Sequence, residues 1–209
     1  MTDRADGRAT PATDAVIDDA DWYGDDLTGR TVERTTFLRA DLTDAVSDAG
    51  TVFADCLFRD TQFNSAAFTA AAFLNCTFTG CNFFAAVFTD CKFVGSMFER
   101  CEFAQLSVIG GDWSFVALAK ADLHNATLRG ARMREADLTG AACDGATLRD
   151  LDLSGAMTGK ASFVGADLRG SDLTALDPWS VDLRRAIIDW RQAVTIATNL
   201  GLDVRSDGH

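Results

Sequence analysis

Histidine, tyrosine and proline are scarce in this chain of 209 residues, which contains two, one and two of them respectively. Histidine titrates near neutral pH and is the commonest metal ligand, so its shortage leaves little for acid-base catalysis or metal binding. The Gly110-Gly111 pair also lacks the lysine and hydroxyl residues that complete a phosphate-binding loop. We therefore expect no enzymatic activity and no bound cofactor or metal.

Long apolar runs and an excess of positive charge are also missing. No run approaches the roughly 20 apolar residues of a membrane-spanning helix, and the first twenty residues are polar and acidic. This predicts a cytoplasmic protein without a membrane segment. The net charge of −12 disfavours direct binding to nucleic acid and would attract a basic protein surface. Acidity most often reflects solubility alone, so it identifies no partner by itself.

What the chain does contain is a repeat with a period of five. Eleven phenylalanines follow one another at this spacing from Phe53 to Phe103, and the same phase continues in mostly apolar residues to Leu173. Two residues before nearly every one of these positions stands a small residue, such as Ala66 or Ala121. Both positions are therefore expected to point inward. Five of the six cysteines occupy the small inward position, which favours core packing over a disulfide or zinc site.

A period of five fits neither the 3.6 residues of a helical turn nor the alternation of a strand, so it predicts a unit that turns every five residues. The segments Ala121-Asp122-Leu123, Ala136-Asp137-Leu138 and Ala166-Asp167-Leu168 resemble the motif of the pentapeptide-repeat family. The resemblance covers residues 20 to 175. It implies an all-β solenoid, a right-handed quadrilateral β-helix with four repeats per coil. About eight coils stacked at strand spacing would form a rod of about 38 Å.

The repeat also predicts the domain boundaries. Residues 1–18 carry no repeat and are expected to form a disordered acidic N-terminal tail, residues 19–176 the β-helix, and residues 177–209 a C-terminal cap. Leu42 and Phe53 are eleven residues apart, one more than two repeats. A bulge or small loop is therefore expected within Thr43 to Thr51.

The C-terminal segment is expected to contain a helix that either caps the rod or joins two subunits. Asp189 and Gln192 have the spacing of a capping box, and Gly201 is a suitable terminating residue, so a helix is predicted over Trp190 to Leu200. An exposed rod end leaves apolar core and unpaired backbone, which requires a cover. Leftover apolar surface would favour a homodimer, and the candidate residues are Trp179, Trp190, Val194, Ile196, Ala197 and Leu200.

Residues twenty apart share a face of such a coil, which allows the charges to be sorted. One face contains acidic residues without Lys or Arg, namely Asp21, Asp41, Asp44, Glu102, Asp122 and Asp144. The neighbouring face contributes further candidates, although Arg129, Arg149 and Arg169 accompany them: Asp90, Asp150 and Asp167. The density of carboxylates on the two faces is of the order of the phosphate density of duplex DNA. The alternative interpretation is an acidic surface that serves solubility.

The second half of the chain resembles a particular group within the family. The residues that carry this resemblance are Ala166-Asp167-Leu168-Arg169-Gly170, Leu176-Asp177-Pro178 and Gln192-Ala193-Val194. They are similar to the MfpA group, related to Qnr proteins, and this implies a DNA mimic that binds DNA gyrase and confers fluoroquinolone resistance. The chain departs from Qnr proteins because it has no sizeable loop insertion. A pentapeptide-repeat scaffold with an unrelated partner remains the alternative.

Overall fold

The structure, a computed structural model, describes residues 9–205 and consists of short strands followed by one helix. The helix, α1, spans Trp190–Asn199. No helix in this part of the chain is long and apolar enough to cross a membrane. The strands are β1 Ala15–Asp18, β2 Thr31–Glu33, β3 Thr35–Leu38, β4 Val46–Ser47, β5 Val52–Ala54, β6 Leu57–Arg59, β7 Ala67–Thr69, β8 Ala72–Leu74, β9 Thr77–Thr79, β10 Val87–Thr89, β11 Met97–Glu99, β12 Ser107–Ile109, β13 Thr127–Arg129 and β14 Thr147–Arg149.

The strands stack in parallel along the sides of a four-sided coil. Side A contains β1-β3-β6-β9-β11, side C contains β4-β7-β10-β12-β13-β14, and side D contains β2-β5-β8. Side B lies between sides A and C and is held by isolated parallel bridges, such as Asp21 to Asp41 and Gln62 to Asn82. The predicted all-β solenoid with a C-terminal capping helix is confirmed.

Side C shows the length of the rod. One column of paired residues on this side runs through nine rungs, and eight intervals at about 4.8 Å amount to about 38 Å. The paired residues are Asp26, Val46, Ala67, Val87, Ser107, Thr127, Thr147, Asp167 and Ile187.

Phenylalanine rings fill the axis of the first half of the rod. The rings of Phe58, Phe78 and Phe98 stack along side A with centroids 4.9 and 4.8 Å apart, because residues on successive rungs repeat at strand spacing. The cysteine thiols fit between the rings and donate to backbone carbonyls, as Cys76 Sγ does to the oxygen of Phe53 at 3.4 Å. All six cysteines are free thiols. Their assignment to the core is confirmed, with Cys101 the least buried.

The corners of the coil place residues in the left-handed region of backbone conformation. Asp55, Asn75 and Phe115 have φ values of 53°, 52° and 60° on three rungs of one corner, with Gly95 on the rung between Asn75 and Phe115. Asparagine and aspartate tolerate this region better than bulky residues do. At Gly111 the constraint is steric, since a Cβ there would lie 2.1 Å from the carbonyl oxygen of Cys91.

The extra residue in the first coils lies where the spacing predicted it. Residues paired across the insertion are 21 apart, as Val46 and Ala67 are, whereas later pairs are 20 apart. The turn at residues 49–50 contains Gly50, with φ +96°. The buried hydroxyl of Thr51 lies 2.6 Å from that of Ser47 and donates to the Leu27 carbonyl at 2.8 Å. These bonds compensate the polar groups that the bulge buries.

The solenoid includes more residues at both of its ends than the repeat predicted. Strand β1, within the segment expected to be a disordered tail, pairs with β3, because Ile17 continues the inward column of Phe37. Residues 1–8, which were also predicted to belong to the disordered tail, lie outside the described residues. At the other end, Ser162 pairs with Asp182 and Asp167 with Ile187. The coil continues past residue 177 because Leu183 and Ile188 resume the inward phase after Pro178.

The predicted helix is present with its predicted N-terminus. The Asp189 side chain accepts from the backbone N–H groups of Arg191 and Gln192, while Gln192 Oε1 accepts from the Asp189 N–H at 2.9 Å. This reciprocal capping box is the one expected from the sequence. The helix ends at Asn199, one residue earlier than predicted, and Leu200 is its C-cap.

Candidate interaction surfaces

The six acidic residues predicted for one face all lie along side B, and we call this set the acidic face. Asp21, Asp41, Glu102 and Asp122 occupy the same outward position on different rungs. The ladder that carries them consists of two runs, from residue 21 to 102 and from residue 122 to 182. Asp44 stands at the corner toward side C, with φ 57°. Asp144 projects from the rung beyond Asp122.

Local hydrogen bonds orient these carboxylates outward from the coil. Asp41 accepts from the backbone N–H of Thr43 at 2.9 Å, and Asp122 accepts from that of His124 at 3.1 Å. Such bonds to the residue two positions later form Asx turns, which explains why aspartate recurs before the corners. A hydrogen bond from Tyr23 to Asp44 raises the pKa of the Tyr23 phenol. The turns therefore hold three of the six carboxylates, those of Asp21, Asp41 and Asp122.

His124 is a member of this surface that sequence reasoning missed. Its Nδ1 lies 2.5 Å from Asp122 Oδ1, and its Nε2 lies 3.0 Å from Asp144 Oδ2. The hydrogen bond with Asp122, followed by the charges of Asp122 and Asp144, raises the pKa of His124. The same contact lowers the pKa of Asp122. The spacing of twenty between residues 124 and 144 was the available signal, since it places them on successive rungs.

The residues predicted for the neighbouring face do not extend the acidic face. Asp90 and Asp150 stand at the corner between sides C and D, where they line a concave surface that includes Lys92 and Arg132. Asp167 lies on side C, but Arg169 Nη2 is 2.7 Å from its carboxylate. The hydrogen bond with Arg169 lowers the pKa of Asp167 to about 2. The acidic surface is therefore narrower than the two faces predicted, because Arg169 compensates Asp167 and because Asp90 and Asp150 lie at the corner toward side D.

The far end of side B also differs from the prediction that this face has no basic residue. The additional rung contributes Asp182, whose carboxylate lies 2.6 Å from Arg184 Nη2, and Arg185 at the next corner. The sequence analysis predicted these residues to lie in the cap, because the repeat was expected to end at residue 176. The acidic face consequently ends at Asp144, and the last rung is close to neutral or positive.

The predicted cap residues divide into two groups. Ile196 packs against the core, and Ala197 and Leu200 are half-buried. Trp179, Trp190 and Val194 are exposed, the two tryptophans by 80% and 73%. These three residues are therefore not needed to close the rod.

Two polar residues of α1 close the rod and were not predicted to do so. Gln192 Nε2 donates to the carbonyls of Leu168 and Ser171 at 2.6 and 2.7 Å. Asn199 Nδ2 donates to the carbonyl of Leu176 at 2.8 Å. No further rung follows the last coil, so no N–H groups of a next rung donate to these carbonyl oxygens. The helix side chains supply donors in their place.

Comparison with known proteins agrees with this architecture. Two family models match, one for a pentapeptide repeat region over residues 51–128 and one for pentapeptide repeats over residues 118–155. Together they cover half of the chain. The chain belongs to the pentapeptide-repeat family. No curated protein matches the sequence.

Among solved structures, the family member is similar to QnrB1, described as a plasmid-mediated fluoroquinolone resistance protein. A trypsin-treated variant of QnrB1 is 22% identical with a TM-score of 0.63, and the match covers 92% of this chain and 95% of that one. HetL, a pentapeptide repeat protein involved in heterocyst differentiation regulation from Nostoc sp. strain PCC 7120, is 22% identical with a TM-score of 0.32, covering 85% and 87%. At this identity the likeness to QnrB1 shows a shared fold.

Proposed function

We propose that this protein is an interaction protein that binds DNA gyrase as a mimic of duplex DNA and protects it against fluoroquinolones. The observation that carries the proposal is the acidic face along one side of the rod, where Asx turns hold the carboxylates of Asp41 and Asp122 and His124 contacts those of Asp122 and Asp144. A topoisomerase holds duplex with Lys and Arg side chains directed at phosphates. Carboxylates in a line can occupy such contacts.

The dimensions of the rod are compatible with this role. Over about 38 Å, one strand of duplex carries about eleven phosphates at about 3.4 Å each. The six carboxylates of the acidic face correspond to about half of that number. On side D, by comparison, arginines compensate two of the aspartates. Arg132 lies 3.3 Å from Asp112, and Arg134 lies 2.6 Å from Asp152. On side B, Asp21, Asp41, Asp44 and Glu102 have no ion pair within residues 9–205, and Asp122 and Asp144 share one histidine.

The choice of gyrase as partner is supported by resemblance. The sequence motifs of the second half are similar to the MfpA and Qnr group, and QnrB1, described as a fluoroquinolone resistance protein, shares the fold. The alternative function is that of a scaffold for an unrelated partner, with charges that serve solubility.

A supercoiling assay with purified gyrase, with and without a fluoroquinolone, tests the proposal. The decisive variant combines Asp41→Asn, Asp122→Asn and Asp144→Asn, which removes three charges and retains an oxygen that can accept from the backbone N–H groups of Thr43, His124 and Val164. We expect inhibition or protection to fall at least about tenfold, since loss of close charge contacts across an interface costs more than about 1.4 kcal/mol. Binding of the parent should weaken with salt.

The matched control combines Asp112→Asn, Asp137→Asn and Asp172→Asn. These aspartates also accept from the N–H two residues later, at 3.1, 2.8 and 2.9 Å, but lie on sides A and D. The control should retain most of the activity. Equal losses from both variants would mean that net charge alone matters, and no effect of the parent protein on gyrase would leave the scaffold as the better interpretation.

We also propose that the exposed residues of the cap join two copies of the chain. Trp190 and Val194 are one helical turn apart, and both point away from the core. Sedimentation of the parent and of the variant Trp190→Arg with Val194→Glu tests this, with Val16→Glu at the opposite end as control. We expect the cap variant to be monomeric and the control to remain a dimer. A parent that is monomeric at every concentration would contradict the dimer.

A further inference from the structure

Side B carries an exposed phenylalanine near the middle of its length. Phe84 directly follows the inward-facing Phe83 and is 42% exposed. Its neighbours in the same outward column, one rung away on either side, are Asn64 and Ala104, and both have smaller side chains. Phe83 and the small inward residues already fill the core at this rung, so the ring of Phe84 is available for contact with another molecule.

The two rungs around Phe84 carry no charge on side B. Residues 61–65 and 81–85 form these rungs, and none of them is Asp, Glu, Lys or Arg. The acidic face is thereby divided into two acidic clusters, one consisting of Asp21, Asp41 and Asp44 and the other of Glu102, Asp122 and Asp144. From Asp41 to Glu102 the ladder spans three rung intervals, or about 14 Å. Phe84 lies within this uncharged gap.

Asn82 shows that the gap lacks the charge but keeps the turn. Its Oδ1 accepts from the Phe84 N–H at 2.9 Å, as the carboxylates of Asp41 and Asp122 accept on their own rungs. The amide thus forms the Asx turn without placing a carboxylate beside the ring. Removing a carboxylate from water is far more unfavourable than removing an amide that keeps a hydrogen bond. The surface around Phe84 can therefore be dehydrated more easily than either acidic cluster.

An apolar centre within a charged rim is a common arrangement of protein–protein interfaces. Aromatic residues are enriched at the centre, where water is excluded, and charged residues stay at the rim. Phe115 provides a contrast, because it is 40% exposed but lies at the corner between sides D and A, where Glu135 follows on the next rung. The feature that distinguishes Phe84 is its place between two acidic clusters.

From these observations we infer that Phe84 is the apolar anchor of the acidic face and inserts into a recess of the partner between two basic patches. The complementary surface has Lys and Arg side chains opposite each acidic cluster and apolar side chains opposite the ring. The inference rests on the proposed function, with gyrase as the partner. Duplex DNA has no aromatic side chain at such a place. The anchor therefore adds a contact that mimicry of phosphates does not supply, and it favours gyrase over other basic grooves.

Equilibrium binding of purified gyrase to the parent protein, to Phe84→Ala and to Phe115→Ala tests the inference. The two variants remove the same ring from positions of nearly equal exposure, and thermal melts check that both remain folded. We expect Phe84→Ala to raise the Kd at least about tenfold, as truncation of a central aromatic residue does, and Phe115→Ala to change it less than about twofold. Phe84→Leu keeps an apolar side chain and should raise the Kd by only about threefold.

Salt separates the apolar contact from the charge contacts. Screening weakens the attraction between charges, whereas burial of apolar surface does not depend on that attraction. Between about 0.1 M and about 0.5 M salt, we expect the ratio of the Kd of Phe84→Ala to that of the parent to stay within about twofold. The same ratio for the variant that combines Asp41→Asn, Asp122→Asn and Asp144→Asn should decrease toward one. A parallel decrease for Phe84→Ala would contradict an apolar recess.

The outcomes distinguish the anchor from the proposed function. If the parent binds gyrase and Phe84→Ala binds as tightly as the parent, the anchor is wrong and the DNA mimic stands. Equal losses from Phe84→Ala and Phe115→Ala would also overturn the anchor, because position on side B would then not matter. A parent that does not bind gyrase at any salt concentration would overturn both the proposed function and the anchor.

Discussion

Phe83 and Phe84 are neighbours in the chain with opposite orientations, and they offer a direct test of the packing argument. Phe83 is 1% exposed, and its ring stacks on Phe63 at 4.8 Å and on Phe103 at 5.6 Å. Phe84 points outward from side B and is 42% exposed. Replacing a buried phenylalanine by alanine removes its transfer free energy and leaves a cavity, which together cost about 3–5 kcal/mol.

We therefore expect Phe83→Ala to lower the free energy of unfolding by about 3–5 kcal/mol. Phe84→Ala should lower it by less than about 1 kcal/mol, because its ring already contacts water. For a chain of this size the larger loss corresponds to a decrease of about 6–20 °C in Tm. Urea denaturation followed by circular dichroism measures both variants. Equal losses for the two, or a loss below about 1 kcal/mol for Phe83→Ala, would refute the inward assignment of the phenylalanine column.

Three further predictions concern the cap and the acidic face. Gln192→Leu removes the side-chain donor to the carbonyls of Leu168 and Ser171 and should destabilise the protein by about 1–3 kcal/mol in thermal melts, whereas Thr198→Ala on the exposed face of the helix should have little effect. Asp189→Ala removes the helix N-cap and should cost about 0.5–2 kcal/mol, read from the same melts. Because its folded pKa is raised, His124 stabilises the fold fully below its unfolded pKa and loses this contribution as pH rises through the folded pKa. The stability of the parent relative to His124→Gln should therefore decline as the pH rises from about 6.5 through the raised folded pKa, and a constant difference would contradict the contact with Asp122 and Asp144.

The period of five was sufficient to predict the fold because it determines which side chains point inward at every position. The same arithmetic predicted the insertion near Gly50, since one extra residue shifts the pairing from 20 to 21. It failed at the ends for physical reasons. Pro178 interrupts the pattern, although Leu183 and Ile188 resume it, and β1 is held by pairing with β3 rather than by a clear repeat.

Sequence reasoning placed the acidic face correctly on one side but could not predict which charges are compensated. The neutralisation of Asp167 depends on the rotamer of Arg169, and the position of His124 depends on two carboxylates from different rungs. Gln192 was recognised as part of a capping box, yet its second role at the carbonyls of the last coil requires knowing where the helix lies. Contacts of this kind arise from the end of the stack, where the repeat no longer determines the neighbours.

The spacing of twenty residues between paired positions has a consequence for how such a protein can change over evolution. Loss of a whole coil shortens the rod and leaves every later side chain on its original side. Loss of a single repeat of five keeps inward residues inward, but it moves all later residues a quarter turn onto the adjoining side. A deletion between Asp41 and Glu102 would in this way separate Asp21 and Asp41 from Asp122 without altering the composition of the core. Small deletions can thus rearrange the charges on the surface during evolution, while the inward-facing residues of the core remain inward.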